Sequence, residues 1–242
     1  MSYDSQNPFT ARRGGVATQG EYDLGLRQYM LRVYNYMASG LAVTGIVAWL
    51  AADTGLFQQI AHTPLIWVVM LAPLAIVFIF AAGIQRMSYG TAQILYWTYA
   101  ALMGLSLGSI FLIYTHASIA MTFFITAGMF LGMSLYGYTT KADLTRMGSF
   151  MMMGLIGIII AGLVNLFLQS SAIYFAISII GVVVFTGLTA WDTQRIAQQY
   201  YATPSGSGDM VGKGALMGAL QLYLDFLNLF LLLLRFFGNS RN

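Results

Sequence analysis

Seven long hydrophobic runs divide the chain, and short polar segments separate them. The runs cover Val33–Ala52, Leu65–Ile84, Thr91–Leu112, Ile119–Tyr138, Gly148–Leu168, Ile173–Ala190 and Ala215–Phe237. Each approaches the length of about 20 apolar residues that an α-helix needs to cross a bilayer. Strands of a membrane barrel would be about half as long and would alternate between polar and apolar residues. The pattern therefore predicts an all-α membrane protein, a bundle of seven transmembrane helices.

The composition indicates a lipid environment. Of the 242 residues, 58% are hydrophobic and 8% are charged, whereas a soluble domain carries about 25% charged residues. The chain contains no cysteine, which excludes disulfides, thiol catalysis and cysteine-ligated metal sites. The net charge of +3 is small and no basic cluster is present, so we expect the lipid bilayer, and no nucleic acid, as a partner.

Basic residues recur in alternate connections. Four arginines precede the first run, and lysines or arginines follow the second, fourth and sixth runs, whereas the connections after the first, third and fifth runs contain none. The positive-inside rule therefore predicts a cytoplasmic N-terminus and, after seven spans, an external C-terminus. Arg235 and Arg241 are exceptions, because both lie at or beyond the outer end of the last span.

Two segments are predicted to lie outside the membrane. Residues 1–30 are polar and predict a cytoplasmic tail, disordered to about Gly20, with a short amphipathic surface helix over Glu21–Arg32. Such a lead is too long and too polar for a cleaved signal peptide. Residues 31–242 form the predicted transmembrane domain. Within it, Gln198–Gly214 contains a Pro-Ser-Gly-Ser-Gly sequence and predicts a flexible cytoplasmic loop.

Asp225 lies near the middle of the last hydrophobic run. A carboxylate in hydrocarbon costs about 2.5–3.5 kcal/mol on insertion scales, so such a residue usually has a partner and a function. Asn228 follows three residues later on a similar helix face, and we expect it to hydrogen-bond to Asp225. We therefore expect Asp225 to face the bundle interior and to act in gating.

Asp192 closes the sixth run, and Arg195 follows one helical turn later. The simplest interpretation is an interfacial acid with Arg195 as a local counter-ion. If the helix continues to about Gln199, Asp192 lies inside the membrane instead. Arg86 ends the second run, where it is either a topogenic anchor or a further counter-ion of the gate.

Two carboxyl groups that meet away from water cannot both ionise cheaply, so Asp192 and Asp225 would share a proton. Losing that proton would separate their helices or recruit Arg86, which makes the pair a candidate pH sensor and gate. Carboxylate oxygens also suit calcium. Two of them would bind it weakly and transiently, which favours permeation over storage.

An enzyme is the competing interpretation. Intramembrane aspartyl proteases also use two membrane aspartates, but their Gly-x-Gly-Asp motif is absent here. The Gly-x-Ser-x-Gly, His-Glu-x-x-His and Walker motifs are absent as well. Neither His62 nor His116 lies within a hydrophobic run. We therefore expect neither catalysis nor a cofactor.

Two motifs resemble the Bax inhibitor-1 family and its bacterial YccA-like branch. The segment Leu220–Gly238, around Asp225, resembles the last helix of that family. The segment Phe185–Ile196, in which Trp-Asp-Thr-Gln surrounds Asp192, resembles its sixth-helix motif. The resemblance covers essentially the whole chain, and it implies a seven-helix fold with the last helix central, surrounded by the other six.

The resemblance also implies a function. It implies that Asp192 and Asp225 form a pH-sensing pair in a calcium leak channel, with Arg86 as the best match for an arginine that pairs with them. Bacterial relatives are also tied to the modulation of a membrane-anchored quality-control protease. The second hypothesis is therefore a non-conducting regulator that binds such a protease through the N-terminal tail or the Gln198–Gly214 loop. Both hypotheses place the protein in a bacterial inner membrane, and neither gives the direction of pH gating.

Overall fold

The computed structural model describes residues 19–202 and 208–240, which form nine α-helices. Their bounds are α1 Gln19–Asp53, α2 Leu56–Ala61, α3 Leu65–Gly83, α4 Tyr89–Ser106, α5 Gly108–Ile113, α6 His116–Thr139, α7 Thr145–Leu168, α8 Ser171–Ala202 and α9 Gly208–Phe237. Seven segments are long and apolar enough to cross a membrane, with α4 and α5 counting together as one. This confirms the predicted all-α bundle of seven transmembrane helices.

Local backbone chemistry sets several helix ends. The hydroxyls of Ser88 and Thr115 accept hydrogen bonds from backbone N–H groups three residues later, and they cap α4 and α6. These bonds satisfy N–H groups that have no partner within the helix. Gln169 adopts the left-handed conformation with φ 49° and ends α7. The connections between consecutive spans are short, so consecutive spans run antiparallel.

The predicted run Thr91–Leu112 is broken into α4 and α5. Ser106 at the break donates its hydroxyl back to the Leu102 carbonyl at 3.0 Å. Gly108 approaches a neighbouring segment so closely that a Cβ there would lie 2.9 Å from the ring of Phe57. Both a serine that bonds back to its own helix and a closely packed glycine bend helices.

The first helix is longer than predicted. A single helix, α1, runs over Gln19–Asp53, so a separate surface helix over Glu21–Arg32 was a wrong prediction. The extension packs against the end of α8, where the rings of Tyr29 and Tyr200 lie 5.3 Å apart. Tertiary packing therefore holds it in line with the span. Residues 1–18 of the predicted tail lie outside the described residues.

The predicted loop Gln198–Gly214 was also largely wrong. α8 continues to Ala202 and α9 begins at Gly208, so helix occupies both sides of residues 203–207, which lie outside the described residues. Packing again overrides composition, since a Cβ at Gly212 would meet the ring of Tyr89 at 2.7 Å. The two helices that carry the candidate aspartates are thus longer than their hydrophobic runs.

α9 supplies much of the buried core. It contains more buried residues than any other described helix, and it packs against α1, α4, α6 and α8. α7 is the opposite case, since Gly148 is its one buried residue and many of its apolar side chains are exposed, although Met151, Leu155 and Ile158 pack against α8 and α9. A helix that is apolar all round and exposed is suited to lipid. The position of α9 at the centre of all six others stays a prediction.

The two ends of the bundle differ in charge. We call the end at which α1 begins the basic end, because it contains most of the described basic residues: Arg27, Arg32, Arg86, Lys141, Arg146, Arg195 and Lys213. Arg235 lies at the opposite end, which we call the far end. There the backbone N–H of Thr115 donates to the Asn239 carbonyl at 3.0 Å and fastens the segment after α9. Which end faces the cytoplasm stays a prediction.

Candidate ion-gating site

α8 carries Asp192 into the interior of the bundle. The helix continues past Gln199 to Ala202, which is the condition under which Asp192 was expected to lie inside the membrane. Asp192 is 3% exposed. It is therefore not the solvated interfacial acid of the simpler interpretation.

Asp225 lies in α9 and is 5% exposed, and its carboxyl group approaches that of Asp192 closely enough for the two groups to interact directly. Two carboxyl groups that meet away from water cannot both ionise cheaply, so this arrangement favours one proton between them. The Oδ2 atom of Asp225 is buried and has no hydrogen-bond partner among the described residues. The structure thus brings together the two predicted site residues, in a buried environment that favours a shared proton.

Gln221 is a third member of the site that the sequence analysis missed. It lies four residues before Asp225 on the same face of α9, and its Nε2 donates to Asp192 Oδ1 at 2.5 Å. A polar residue at this spacing in an apolar run was the available signal. The site therefore offers oxygens from two carboxyl groups, the donor type that calcium takes.

Gly218 sets the distance between the helices that carry the aspartates. A Cβ at this position would lie 2.9 Å from Cγ2 of Ile196 on α8. Small residues allow helix backbones to approach closely in lipid. Gly218 precedes Asp225 by two turns and lies on nearly the same face of α9. The close approach at Gly218 therefore brings the Asp225 carboxyl within reach of Asp192.

A chain of hydroxyl groups crosses from α8 to α1 at the level of Asp192. Thr193, next to Asp192, is hydrogen-bonded to Ser134 of α6 through their hydroxyls at 2.9 Å. The Ser134 hydroxyl also bonds to that of Tyr34 of α1 at 2.7 Å. This chain joins α1, α6 and α8 beside the aspartates. Sequence reasoning missed it, because Tyr34 and Ser134 are 100 residues apart and share no local pattern.

Gln194 fastens α8 to the connection between α6 and α7. Its Nε2 donates to the Ala142 carbonyl at 2.8 Å, and its Oε1 accepts from the Leu144 N–H at 2.9 Å. A cavity of about 310 Å³ opens beside it at the basic end, with Lys141 and Asp143 among its lining residues. Gln194 thus borders a polar opening at this end of the bundle, and none of Asp192, Gln221 and Asp225 lines that opening.

The two predicted counter-ions are not paired with the aspartates in this structure. The exposed Arg195 guanidinium lies over the ring of Trp191, 5.3 Å from its centroid, and none of the described ion pairs joins it to Asp192. The predicted local ion pair was therefore wrong, although Arg195 still acts on Asp192 electrostatically from a longer distance. Arg86 is exposed in the connection after α3, and its pairing with the gate stays a prediction.

Asn228 does not support Asp225 in the predicted way. Its Nδ2 donates to the Leu224 carbonyl of its own helix at 2.8 Å. Its side chain lines a cavity between α7, α8 and α9 together with Arg235. An amide in an apolar run donates to the nearest acceptor, which for a helical residue is the second lone pair of the carbonyl oxygen four residues earlier.

A second buried polar cluster lies on another face of α9. The Tyr223 hydroxyl is hydrogen-bonded to the Thr44 hydroxyl of α1 at 2.7 Å. Thr44 in turn donates to the Ala100 carbonyl of α4 at 2.8 Å, so Tyr223 is the donor to Thr44. The neighbouring Tyr99 hydroxyl is buried without a hydrogen-bond partner among the described residues. This cluster joins α1, α4 and α9 and is separate from the aspartates.

Comparison with known protein families identifies the family of this chain. The profile of the family described as Inhibitor of apoptosis-promoting Bax1 matches residues 26–242. The chain belongs to the Bax inhibitor-1 family. The match confirms the resemblance inferred from the two aspartate motifs, and it includes all seven membrane-spanning helices apart from the first residues of α1.

Curated relatives in the Bax inhibitor-1 family match over nearly their full length. An uncharacterized protein of Rickettsia prowazekii is 53% identical over 91% of this chain and 93% of its own. The inner membrane protein YbhL of Escherichia coli is 48% identical over 90% of this chain and 94% of its own. An uncharacterized protein of Caulobacter vibrioides is 45% identical over 90% of this chain and 91% of its own. The similarity therefore extends over the whole bundle and is not confined to the aspartate motifs.

Proposed function

We propose that this Bax inhibitor-1 family protein is a pH-sensitive calcium leak channel of the inner membrane, gated by Asp192 and Asp225. The observation that carries the proposal is the close approach of two buried carboxyl groups on adjacent helices. The inner-membrane location is supported by the name of the Escherichia coli relative. The proposal includes a cytoplasmic N-terminus, an external C-terminus, no enzymatic activity and no resident cofactor.

The shared proton keeps the gate closed, and we call the protonated pair the latch. While the proton is present, the pair carries one negative charge and holds α8 against α9. Its loss leaves two like charges facing each other, which repel by about 4 kcal/mol at about 4 Å and an effective dielectric constant of about 20. None of the described ion pairs gives either aspartate a cation that would offset this repulsion. Rising pH therefore separates the helices or draws in a cation such as Arg86.

An apolar cluster closes the route between the aspartates and the far end. All of its buried members lie on α8 or α9: Val184, Phe185, Leu188, Leu229, Leu232 and Leu233. Apolar constrictions block ions because water leaves them. Since both helices contribute to the cluster, movement of α8 away from α9 widens it. The latch and the constriction are thus coupled through the same pair of helices.

Calcium flux into liposomes that contain the purified full chain tests the proposal. Wild-type flux should increase as pH rises and the shared proton is lost. In Asp225→Asn, the amide can donate to Asp192 at every pH, so flux should stay low and independent of pH. Asp143→Asn is the matched control, because it makes the same chemical change at an exposed acid outside the spans. Its flux should follow the wild-type profile.

Three results would contradict the proposal in different ways. Absence of flux at every pH would remove the channel and favour the regulator of a membrane-anchored protease. An unchanged pH profile in Asp225→Asn would remove the pair from the gate. Flux that falls with rising pH would reverse the role assigned to the shared proton.

A further inference from the structure

A groove runs between α7 and α9 with α8 as its floor. It encloses about 390 Å³ and is lined mainly by apolar side chains: Leu155, Ile158, Ile159, Leu166, Ile177 and Leu231. On α7 the lining extends from Leu155 to Leu166, about 16 Å along the helix axis. That length is close to half of the hydrocarbon core, which is about 30 Å thick. The groove therefore has the depth of one bilayer leaflet.

Gly162 keeps the groove open. It lies on the groove wall, and a Cβ there would meet nothing within 4 Å among the described atoms. Asn228 lies on the opposite wall, where its amide donates to the Leu224 carbonyl. One amide N–H is thereby satisfied within α9, and the remainder of the wall is largely apolar.

The far end of the groove carries a cationic group. The Arg235 guanidinium lies over the ring of Tyr174, 4.3 Å from its centroid. Its Nη1 donates to the Ser178 hydroxyl at 3.4 Å, and Asn165 completes the polar lining. A guanidinium has five N–H donors, so these contacts leave several for an anion. Arginine also matches the geometry of phosphate oxygens.

Arg235 stands apart from the other basic residues. Among the lysines and arginines that the structure describes, it alone lies at the far end of the bundle. A basic residue there departs from the alternation of charge, which indicates a local role. No acidic side chain lines the groove within the described residues, so an anion would meet no opposing charge.

We propose that this groove binds one anionic phospholipid, with its phosphate on Arg235 and an acyl chain between α7 and α9. Charge complementarity selects the headgroup, and the apolar lining and the length of the groove fit the chain. The groove includes neither Asp192 nor Asp225, although Phe185 and Leu232 of its lining also belong to the apolar cluster. The inference therefore does not depend on the proposed function.

Native mass spectrometry of the purified full chain tests this inference. The protein is equilibrated with phosphatidylglycerol and phosphatidylcholine that carry the same acyl chains. The wild type should retain one phosphatidylglycerol in preference to phosphatidylcholine. Arg235→Gln should reduce that preference about fivefold, which corresponds to the ~1 kcal/mol gained per basic residue near an anionic surface. Arg235→Lys should keep most of it, because the charge remains.

Filling the groove provides the second arm. Gly162→Leu should reduce the retention of both lipids, because the new side chain occupies the space of the acyl chain. Gly157→Leu is the matched control, since a Cβ at Gly157 also meets nothing within 4 Å but the residue does not line the groove. Equal retention of the two lipids by the wild type would overturn the proposal. So would a preference for phosphatidylglycerol that survives both Arg235→Gln and Gly162→Leu.

Discussion

Replacing Gly218 with alanine should open the gate at a pH at which the wild-type protein is closed. The new Cβ would lie 2.9 Å from Cγ2 of Ile196, 3.3 Å from its Cγ1 and 3.4 Å from its Cδ1. Carbon atoms pack at about 3.5–4.0 Å, so α8 and α9 must separate by roughly 0.6–1 Å. Ile196 is fully buried and β-branched, which prevents it from rotating away.

Overpacking of this kind costs about 1–3 kcal/mol. Because the separated state relieves the clash, most of that cost falls on the closed state. The equilibrium between closed and open protein should shift by about 5-fold to 150-fold toward the open form. The gain in helix propensity of alanine over glycine does not offset this, since α9 is helical in both states.

Calcium flux in liposomes at acidic pH measures the effect. Gly218→Ala should conduct at a pH at which the wild type does not. The double variant with Asp225→Asn should show whether the amide at position 225 can hold the gate closed against the added methyl group. Gly214→Ala is the matched control, because a Cβ there approaches the Tyr29 hydroxyl of α1 at 3.3 Å and does not contact α8. Acidic flux that is the same in Gly218→Ala and Gly214→Ala would refute the link between helix separation and gating.

Three further predictions concern other hydrogen bonds. Gln221→Leu removes a donor to Asp192 that stabilises the charged form of the pair, so the flux profile, measured in the same liposomes, should move to higher pH. Tyr223→Phe should lower the free energy of unfolding by about 1 kcal/mol, because it deletes a hydrogen-bonded hydroxyl. Tyr99→Phe deletes a hydroxyl that has no partner among the described residues and should not lower it; tryptophan fluorescence during thermal unfolding compares the two variants. The hydroxyl and N–H of Thr145 hold the pKa of Asp143 below its usual value, so Thr145→Val should raise that pKa in an NMR titration.

Much of the architecture follows from the chain without coordinates. A run of about 20 apolar residues is unfavourable in water, and in lipid it can form its backbone hydrogen bonds only as a helix. The seven hydrophobic runs therefore correspond to seven spans. The boundaries were less accurate. α1 and α8 extend beyond their hydrophobic runs because aromatic contacts such as Tyr29 with Tyr200 hold the extensions in place. Apolar periodicity contains no information about such contacts.

The candidate site divides in the same way. Asp192 and Asp225 were identifiable because a carboxylate in an apolar run is costly wherever its neighbours lie. Their partners were not. Asn228 donates to a carbonyl of its own helix, and the Arg195 guanidinium lies over the Trp191 ring. The side chain that hydrogen-bonds to the aspartate pair is Gln221 instead.

The sequence by itself determined which segments lie in lipid and which side chains are unfavourable there, because the free energy of transfer from water to lipid depends on the side chain alone. Only the tertiary structure decided which groups meet, since this depends on the rotation of each helix and on how closely it approaches the next. Gly218, where an added Cβ would lie only 2.9 Å from Ile196, decides that distance for α8 and α9. The chain from Tyr34 to Ser134 joins residues 100 positions apart, and no local pattern encodes such a contact.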